Sequence, residues 1–491
     1  MRTTPTANSS RSPPTNDFDR ATMTQPYRLG VRELGLRMRA GSLSAVELLD
    51  HYLGRIETLN PRLNAFIDLD ETGARQAARD ADDRAKRGAS LGPLDGIPIA
   101  IKDNILVKSQ RAVWGTRLFE QHVPDHDEVP VDLLRRAGAV LVGKTNVPEF
   151  TMRGYTDNVV FGPTGNAWDP ALTPGGSSGG SVTAVAAGLV PLALGTDGGG
   201  SIRRPAGYTG LVGLKPTVSR IPRANGFPQI LYDCEIVGPL GRSVDDVRLM
   251  MSVMARPDRR DQRSRGFAPI DQDARPVRPL RIVYVARMNG APVDPEIDAA
   301  CRRAAEALRA LGHEVTDGSL PFQTQHILGS WSKIGDTGLA MLAEQHPSFF
   351  DRVTPGFAEQ ARTGAGIAGA EFMRVIETLY AFRTEVGSAF EHVDLIMTPT
   401  SAAHPWPKEQ AYPPVIDGQE VGPRGHAVFT NWVNACGHPA IALPAAPSAQ
   451  GLPIGFQLVG DFGADDLLLD IATQFEQAQP WAARWPQIAS S

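Results

Sequence analysis

The chain has 491 residues, of which 42% are apolar and 21% charged, proportions expected of a soluble globular protein long enough to divide its core. Its net charge of −5, with mixed signs, gives no reason to expect nucleic acid or an anionic membrane as a partner. No stretch reaches the roughly 18 to 20 apolar residues of a membrane-spanning helix.

Residues 1–25 are rich in Thr, Ser, Pro, Asn, Arg and Asp. They hold too little apolar surface to order themselves and lack the apolar stretch of a secretory signal, which predicts a disordered tail. Met23 stands where ordered sequence begins, so a start at Met23 in place of Met1 is an alternative. A helix is expected over 30–39 and a second one opened by Ser44 and Glu47 as a capping box. The second carries Val46, Leu48, Leu49, Tyr52, Leu53, Ile56 and Leu59 at helical spacing, and Pro61 is expected to stop it. A strand over 64–69, a polar surface helix over 71–86, a short apolar strand ending on Lys102, a helix over 131–136 and a strand over 139–142 follow. This alternation argues for an α/β layered domain with a mixed, largely parallel sheet.

Arg, Asp, Gln and Pro accumulate over 257–279, which reads as a linker or surface excursion. Beyond it come a strand over 280–286, an amphipathic helix over 294–311, a mostly helical stretch over 324–391, and strands in the blocks 394–400, 434–441 and 451–460. Residues 481–491 read as a C-terminal tail. Cys234, Cys301 and Cys436 are widely spaced and form no C-x-x-C pair. Reduced packing thiols, a cytoplasmic setting, and no metal or cofactor are the expectation.

The chemistry concentrates between Thr173 and Pro205. Two glycine-flanked serine clusters, Gly175-Gly176-Ser177-Ser178-Gly179 and Gly198-Gly199-Gly200-Ser201, are joined by a segment rich in Ala, Val and Leu, long enough for one helix and one strand. Successive glycine N–H groups can converge on an anion, and a serine hydrolase needs an alcohol beside such donors. A flexible linker would not carry so apolar a joining segment. The first cluster also matches the G-x-S-x-G nucleophile elbow, but Pro174 and two glycines precede Ser177 where that motif needs a buried strand.

Upstream, Gly96-Ile97-Pro98-Ile99-Ala100-Ile101-Lys102 is an apolar strand ending on a lysine. Lys102, Ser177 and Ser201 in these surroundings, together with Gly143–Phe150, Phe161–Pro170, Gly210–Thr217 and a C-terminal block, resemble the amidase signature family over most of the chain. The resemblance implies a central mixed β-sheet covered on both faces by helices. It makes residues 26–480 the catalytic domain and 324–391 a variable helical region at the substrate pocket.

By the same resemblance Ser201 attacks a carbonyl, and Ser177, held after a cis peptide, relays its proton toward Lys102. The N–H groups of Gly198, Gly199, Gly200 and Ser201 hold the oxyanion, and water hydrolyses the acyl-enzyme. The residues agree on one point independently: lysine serves as a base when burial disfavours its charged form, and Lys102 closes an apolar strand. Asp197 and Arg203 are implied to pair and brace the loop, with Thr196 as a supporting hydrogen bonder. Ser178 either bonds the relay or caps the following helix.

The expected activity is hydrolysis of a small-molecule carboxamide. Aryl amides, esters and carbamates (urethanes) are alternatives. Met152, Tyr155 and Trp331 are candidates for an apolar substrate pocket, against plain core packing. A glutaminase subunit of a tRNA-dependent amidotransferase shares the Lys-Ser-Ser core, but Val218–Pro228 and Tyr232–Pro239 depart from its usual pattern. A non-catalytic scaffold would not need every mechanistic residue present. A homodimer is implied by the family alone.

Overall fold

The computed structural model describes residues 25–488, so the expected disordered tail lies, except for Gln25, outside the described residues. The strands are β1 (Phe66–Leu69), β2 (Pro98–Lys102), β3 (Val140–Thr145), β4 (Leu192–Asp197), β5 (Val212–Lys215), β6 (Ile236–Gly241), β7 (Arg281–Tyr284), β8 (Glu314–Asp317), β9 (Leu395–Pro399), a short hairpin of β10 (Val415–Ile416) and β11 (Gln419–Glu420), then β12 (Ala440–Pro444) and β13 (Gly455–Gly460). All but the hairpin form one sheet in the order β1-β3-β2-β4-β6-β5-β12-β13-β9-β7-β8. The sheet is mixed, as expected. It is not largely parallel, because six of its ten ladders are antiparallel. β12, for example, returns directly into β13 beside it, and such a return reverses direction where a crossover helix would preserve it.

The helices are α1 (Val31–Arg39), α2 (Ala45–Leu63), α3 (Glu71–Lys86), α4 (Val129–Arg136), α5 (Gly179–Ala186), α6 (Arg203–Thr209), α7 (Val244–Met254), α8 (Pro295–Ala310), α9 (Gln325–Gln345), α10 (Phe349–Arg352), α11 (Pro355–Ala365), α12 (Gly369–Ala389), α13 (Asn431–Cys436) and α14 (Asp465–Ala478). The predicted capping box of α2 forms, with Ser44 Oγ accepting from Glu47 N and Glu47 reaching back to Ser44 N at 2.8 Å. Pro61 does not stop α2, which runs to Leu63 and ends on Asn64 in the left-handed region. A proline in the last turn removes only one hydrogen bond, so the helix tolerates it there better than at its centre.

β2 and β4 are buried at every position, which explains why both read as near-continuous apolar runs. They lie side by side in parallel, with Ile101 opposite Leu194. Their carboxyl ends therefore emerge together, the usual place for a ligand site in an α/β sheet. α5, buried throughout, packs on β4 and leads from the first serine cluster, while α6 follows the second.

Residues 324–391 are helical, as expected, in α9 to α12. A satellite cluster of Trp114, Phe119, Phe150, Phe227, Phe349 and Phe357 fastens α10 and α11 to the main body. The expected C-terminal tail is packed as far as residue 488: Trp481 is buried and donates Nε1–H to Arg242 O at 2.9 Å, and Trp485 meets Tyr27 edge-on at 4.9 Å. Two large indoles supply enough apolar area to hold a polar segment. Residues 257–279 hold only the short helical turn Gln262–Gly266, pinned by Arg260 to Asp132 and Asp258. No described helix is long and apolar enough to cross a membrane. All three cysteines are buried and unpaired.

Candidate active site

Lys102 ends β2 with no solvent exposure. Its Nζ lies 2.8 Å from Ser177 Oγ, 2.7 Å from Thr196 Oγ1 and 3.1 Å from Thr196 O. Burial pushes its ammonium down to about 7, against the opposing pull of Glu235 and Asp197. A neutral amine keeps two protons and one lone pair. With the Thr196 carbonyl able only to accept, that lone pair faces a hydroxyl of Ser177 or Thr196.

A second buried lysine, Lys144, provides a contrast. Its Nζ stands 3.9 Å from Asp103 Oδ1 and donates to the carbonyls of Asp103 and Ile105. It is enclosed by acceptors and has no hydroxyl to deprotonate. No carboxylate lies within 4.0 Å of Lys102 among the described residues, so only the alcohols accompany it.

The Gly176–Ser177 peptide is cis, as the resemblance implied. Gly176 packs so closely beneath Tyr155 that a side chain there would stand 2.4 Å from Tyr155 O. Ser178 neither reaches the relay nor caps α5. Its Oγ donates to Thr196 O at 3.1 Å, the same carbonyl that Lys102 uses, and the first N–H of that helix, on Gly179, is taken by Thr156 Oγ1 at 3.2 Å. Thr196 is thus the anchor of the whole cluster, and Asn104 Nδ2 holds its hydroxyl from behind at 3.2 Å while also donating to Glu235 at 3.1 Å.

Ser201 is 6% exposed. Its Oγ makes no hydrogen bond among the described residues, so the link from Ser177 to Ser201 is not closed here. The loop beneath it is braced as expected. Asp197 and Arg203, both fully buried, form a two-pronged ion pair at 3.0 and 3.1 Å. Arg203 continues to Gln457 Oε1 at 2.8 Å, Asn434 Oδ1 at 2.6 Å and Thr430 O at 3.1 Å. Burial would raise the Asp197 carboxyl, but Arg203 and the Asn434 amide hold it well below the usual carboxylate range.

The glycine loop corrects one expectation. Gly200 N–H donates to Asp197 Oδ1 at 2.6 Å, which removes it from the set of oxyanion donors. The reason is its conformation: φ is 110°, a region open to glycine, and this turns the amide down toward the carboxylate. A side chain at Gly200 would stand 2.2 Å from Thr430 Oγ1. Other carbonyls of the loop are held from the protein side. Asn434 Nδ2 donates to Asp197 O at 2.8 Å and Arg204 N to Gly200 O at 2.9 Å. In a trans peptide the N–H points opposite its C=O, so Gly198 N–H and Ser201 N–H are directed away from these partners. Gly198, Gly199 and Ser201 have N–H groups without a partner among the described residues.

Sequence reasoning missed Arg204. Its Nη1 donates to Gly199 O and, at 2.8 Å, to Thr430 Oγ1, while Nη2 lies 3.5 Å from Gly176 O. One guanidinium therefore ties the two serine clusters together. Burial lowers it to about 10, leaving it charged at neutral pH. The Arg203-Arg204-Pro205 triplet after Ser201 carried the only signal: adjacent arginines opening a buried helix need acceptors nearby.

Of the pocket candidates, Met152 lies against α9, where a side chain at Gly335 would stand 2.7 Å from Met152 Cε and 3.5 Å from Leu231 Cδ2. Leu231, which sequence reasoning did not single out, also covers the oxyanion loop, 2.6 Å from where a Gly198 side chain would begin. Tyr155 is half-buried beside Gly176. Trp331, one turn before Gly335, is 8% exposed and belongs to the main core, which favours plain core packing, the alternative weighed for it.

Comparison with known proteins agrees with this geometry. A family model described as Amidase matches residues 47–469. The chain is 36% identical over 486 residues to a glutamyl-tRNA(Gln) amidotransferase subunit from Synechococcus sp. (strain CC9605), covering 92% of this chain and 97% of that protein. The same-named protein of Chloroflexus aurantiacus is 34% identical over 502 residues, covering 95% and 100%. Among solved structures, 6-aminohexanoate cyclic dimer hydrolase complexed with substrate superposes with a TM-score of 0.81 at 29% identity, over 94% of this chain and 99% of that one. A bacterial aryl acylamidase of the amidase signature family gives 0.84 at 26% identity, over 93% and 99%. The chain belongs to the amidase signature family. It is a hydrolase acting on C–N bonds, built on that family's mixed α/β fold.

Proposed function

We propose that this enzyme hydrolyses a small-molecule carboxamide through a serine acyl-enzyme, with Ser201 as nucleophile, Ser177 as relay and Lys102 as base. The observation that carries the reading is the buried contact of 2.8 Å between Lys102 Nζ and Ser177 Oγ, made by an amine whose neutral form burial favours. Ser177 Oγ–H passes its proton to the neutral amine as it takes one from Ser201 Oγ, which attacks the carbonyl carbon. The oxyanion is held by the free N–H groups of Gly198, Gly199 and Ser201. The tetrahedral adduct collapses as the ammonium returns its proton through Ser177 to the departing amine. Water then adds to the acyl-enzyme by the same path, releasing the acid.

A fluorophosphonate, read by intact mass, tests the roles without presuming the substrate. One adduct on the wild type, lost in Ser201→Ala and much slowed in Lys102→Ala, is the expected result. An adduct that persists in Ser201→Ala would reassign the nucleophile.

A second reading, the glutaminase subunit of a tRNA-dependent amidotransferase, is favoured by the full-length identity to proteins named for that complex. Against it stand the departures over residues 218–239 and the likeness to structures named for a cyclic dimer hydrolase and an aryl acylamidase. Ammonia release from glutamine that rises with a co-purifying partner chain would decide for the second reading. The helical region 324–391 is assigned as the substrate cap, and the active unit as a homodimer, which sedimentation tests.

A further inference from the structure

The charged rim of this site is unlike its centre. Arg424 is exposed, and its guanidinium makes neither a hydrogen bond nor an ion pair within 4.0 Å among the described residues. It lies within electrostatic reach of Arg204, Arg153, His426 and Asp336. Arg153 is likewise without a carboxylate within 4.0 Å. It stacks on the Phe357 ring at 4.0 Å and donates to Met152 O at 3.3 Å. Asp336, 8% exposed, is the acid that faces Arg424. Glu149, an acid within electrostatic reach of Arg153, is already taken up by Thr116 Oγ1 at 2.9 Å and by Thr354.

This cationic excess adjoins the reacting atoms. Arg424 opens the stretch that continues through His426, Thr430, Asn431 and Asn434. In that stretch Thr430 Oγ1 donates to Gly199 O at 2.8 Å. Its inner end thus touches the oxyanion loop, and its outer end carries Arg424. His426 lies between them, 2% exposed, with both ring nitrogens buried and unpartnered. Its ring packs at a tilt against Trp406, with centroids 4.7 Å apart, and Nε2 is 2.5 Å from where a Gly154 side chain would begin. On α9, Asp336 follows Gly335, where a side chain would meet Met152 and Leu231.

A surface guanidinium without a bonded acid usually costs nothing, since water solvates it. Here Arg424 lies within electrostatic reach of both Arg153 and the buried Arg204, like charges that repel, and a mobile anion relieves that repulsion. We propose that the substrate carries a carboxylate distal to the scissile amide, and that Arg424, with Arg153 beside it, receives it. A planar guanidinium matches a carboxylate with two parallel N–H···O bonds. His426, kept neutral first by burial and then by Arg204 and Arg424, adds no charge of its own to this set. The proposal rests on Ser201 being the nucleophile of an amide hydrolase.

The test uses two substrate pairs that differ only in charge. Glutaranilate against its methyl ester places the carboxylate on the acyl side, and 4-acetamidobenzoate against its methyl ester on the amine side. Wild type is expected to favour the carboxylate in one pair by tenfold or more in kcat/KM, with the preference weakening as salt is raised. It should fall below threefold in Arg424→Gln and be partly restored in Arg424→Lys. A preference below threefold in both pairs, or one that survives Arg424→Gln, overturns the proposal. Fluorophosphonate labelling of Ser201 in the same preparations keeps the two readings apart: labelling without charge preference defeats the carboxylate site alone. If the serine does not label, calorimetric binding of the same pairs to wild type and Arg424→Gln asks the charge question by itself.

Discussion

The buried centre and the rim of this site follow opposite rules. At the centre, Lys102, Thr196, Asp197 and Arg203 are wholly buried, and each polar group is bonded to a fixed neighbour of the sheet, the glycine loop or α13. At the rim, Arg153, Arg424 and Asp336 lie close enough to influence one another without forming an ion pair. Polar groups withdrawn from water must be satisfied from within, so the centre is rigid and specifies a reaction. Arg424, which water reaches, needs no partner, so the rim is free to select what enters.

Substitutions at the centre therefore break activity or folding, and those at the rim change preference. The largest effect is expected from Ser201→Ala, which should lower kcat by roughly 10⁴-fold or more, measured on any amide the wild type turns over. Next is the pH profile. The base must be neutral, and burial brings Lys102 down to about 7. kcat/KM should then be level at higher pH and fall roughly tenfold per unit as pH drops below that value. A profile that keeps falling from pH 10 downward would mean an ordinary ammonium and would overturn the assignment of Lys102.

Asp197→Asn leaves Arg203 buried without its carboxylate, which should cost about 3–5 kcal/mol in denaturant-induced unfolding. Trp331→Ala should cost about 3–5 kcal/mol as well, because the indole belongs to the core. A variant that keeps its stability and instead changes relative rates across substrates of different bulk would return Trp331 to the pocket. The smallest effect on folding is expected at the rim, where Arg424→Gln should alter stability by no more than about 0.5 kcal/mol. A larger loss there would make Arg424 a structural residue and erase the distinction between centre and rim.

Much of the centre was legible in the chain. Lys102 stands at the end of an apolar run, and the two serines sit in glycine-rich turns on either side of a segment sized for α5 and β4. These signals are local: periodicity, glycine and proline placement, and a motif order that survives without knowledge of contacts. The cis bond before Ser177 and the Asp197–Arg203 pair followed from resemblance, and both are present.

What stayed out of reach of the sequence depends on groups brought together from far apart. Gly200 looked like an oxyanion donor until its φ of 110° and the position of Asp197 turned its N–H away. Arg204 became a tie between the serine clusters only because the fold places Gly176 O beside Gly199 O. The sheet proved mostly antiparallel because strand direction is set by how the chain returns, which alternation alone does not record. Local sequence was enough to specify which residues form the catalytic elements, since burial pattern and backbone chemistry are carried within each segment. Where each donor points and which charges stay unpaired was settled by the folded chain alone, since both depend on partners up to 254 positions away, as Arg203 and Gln457 are.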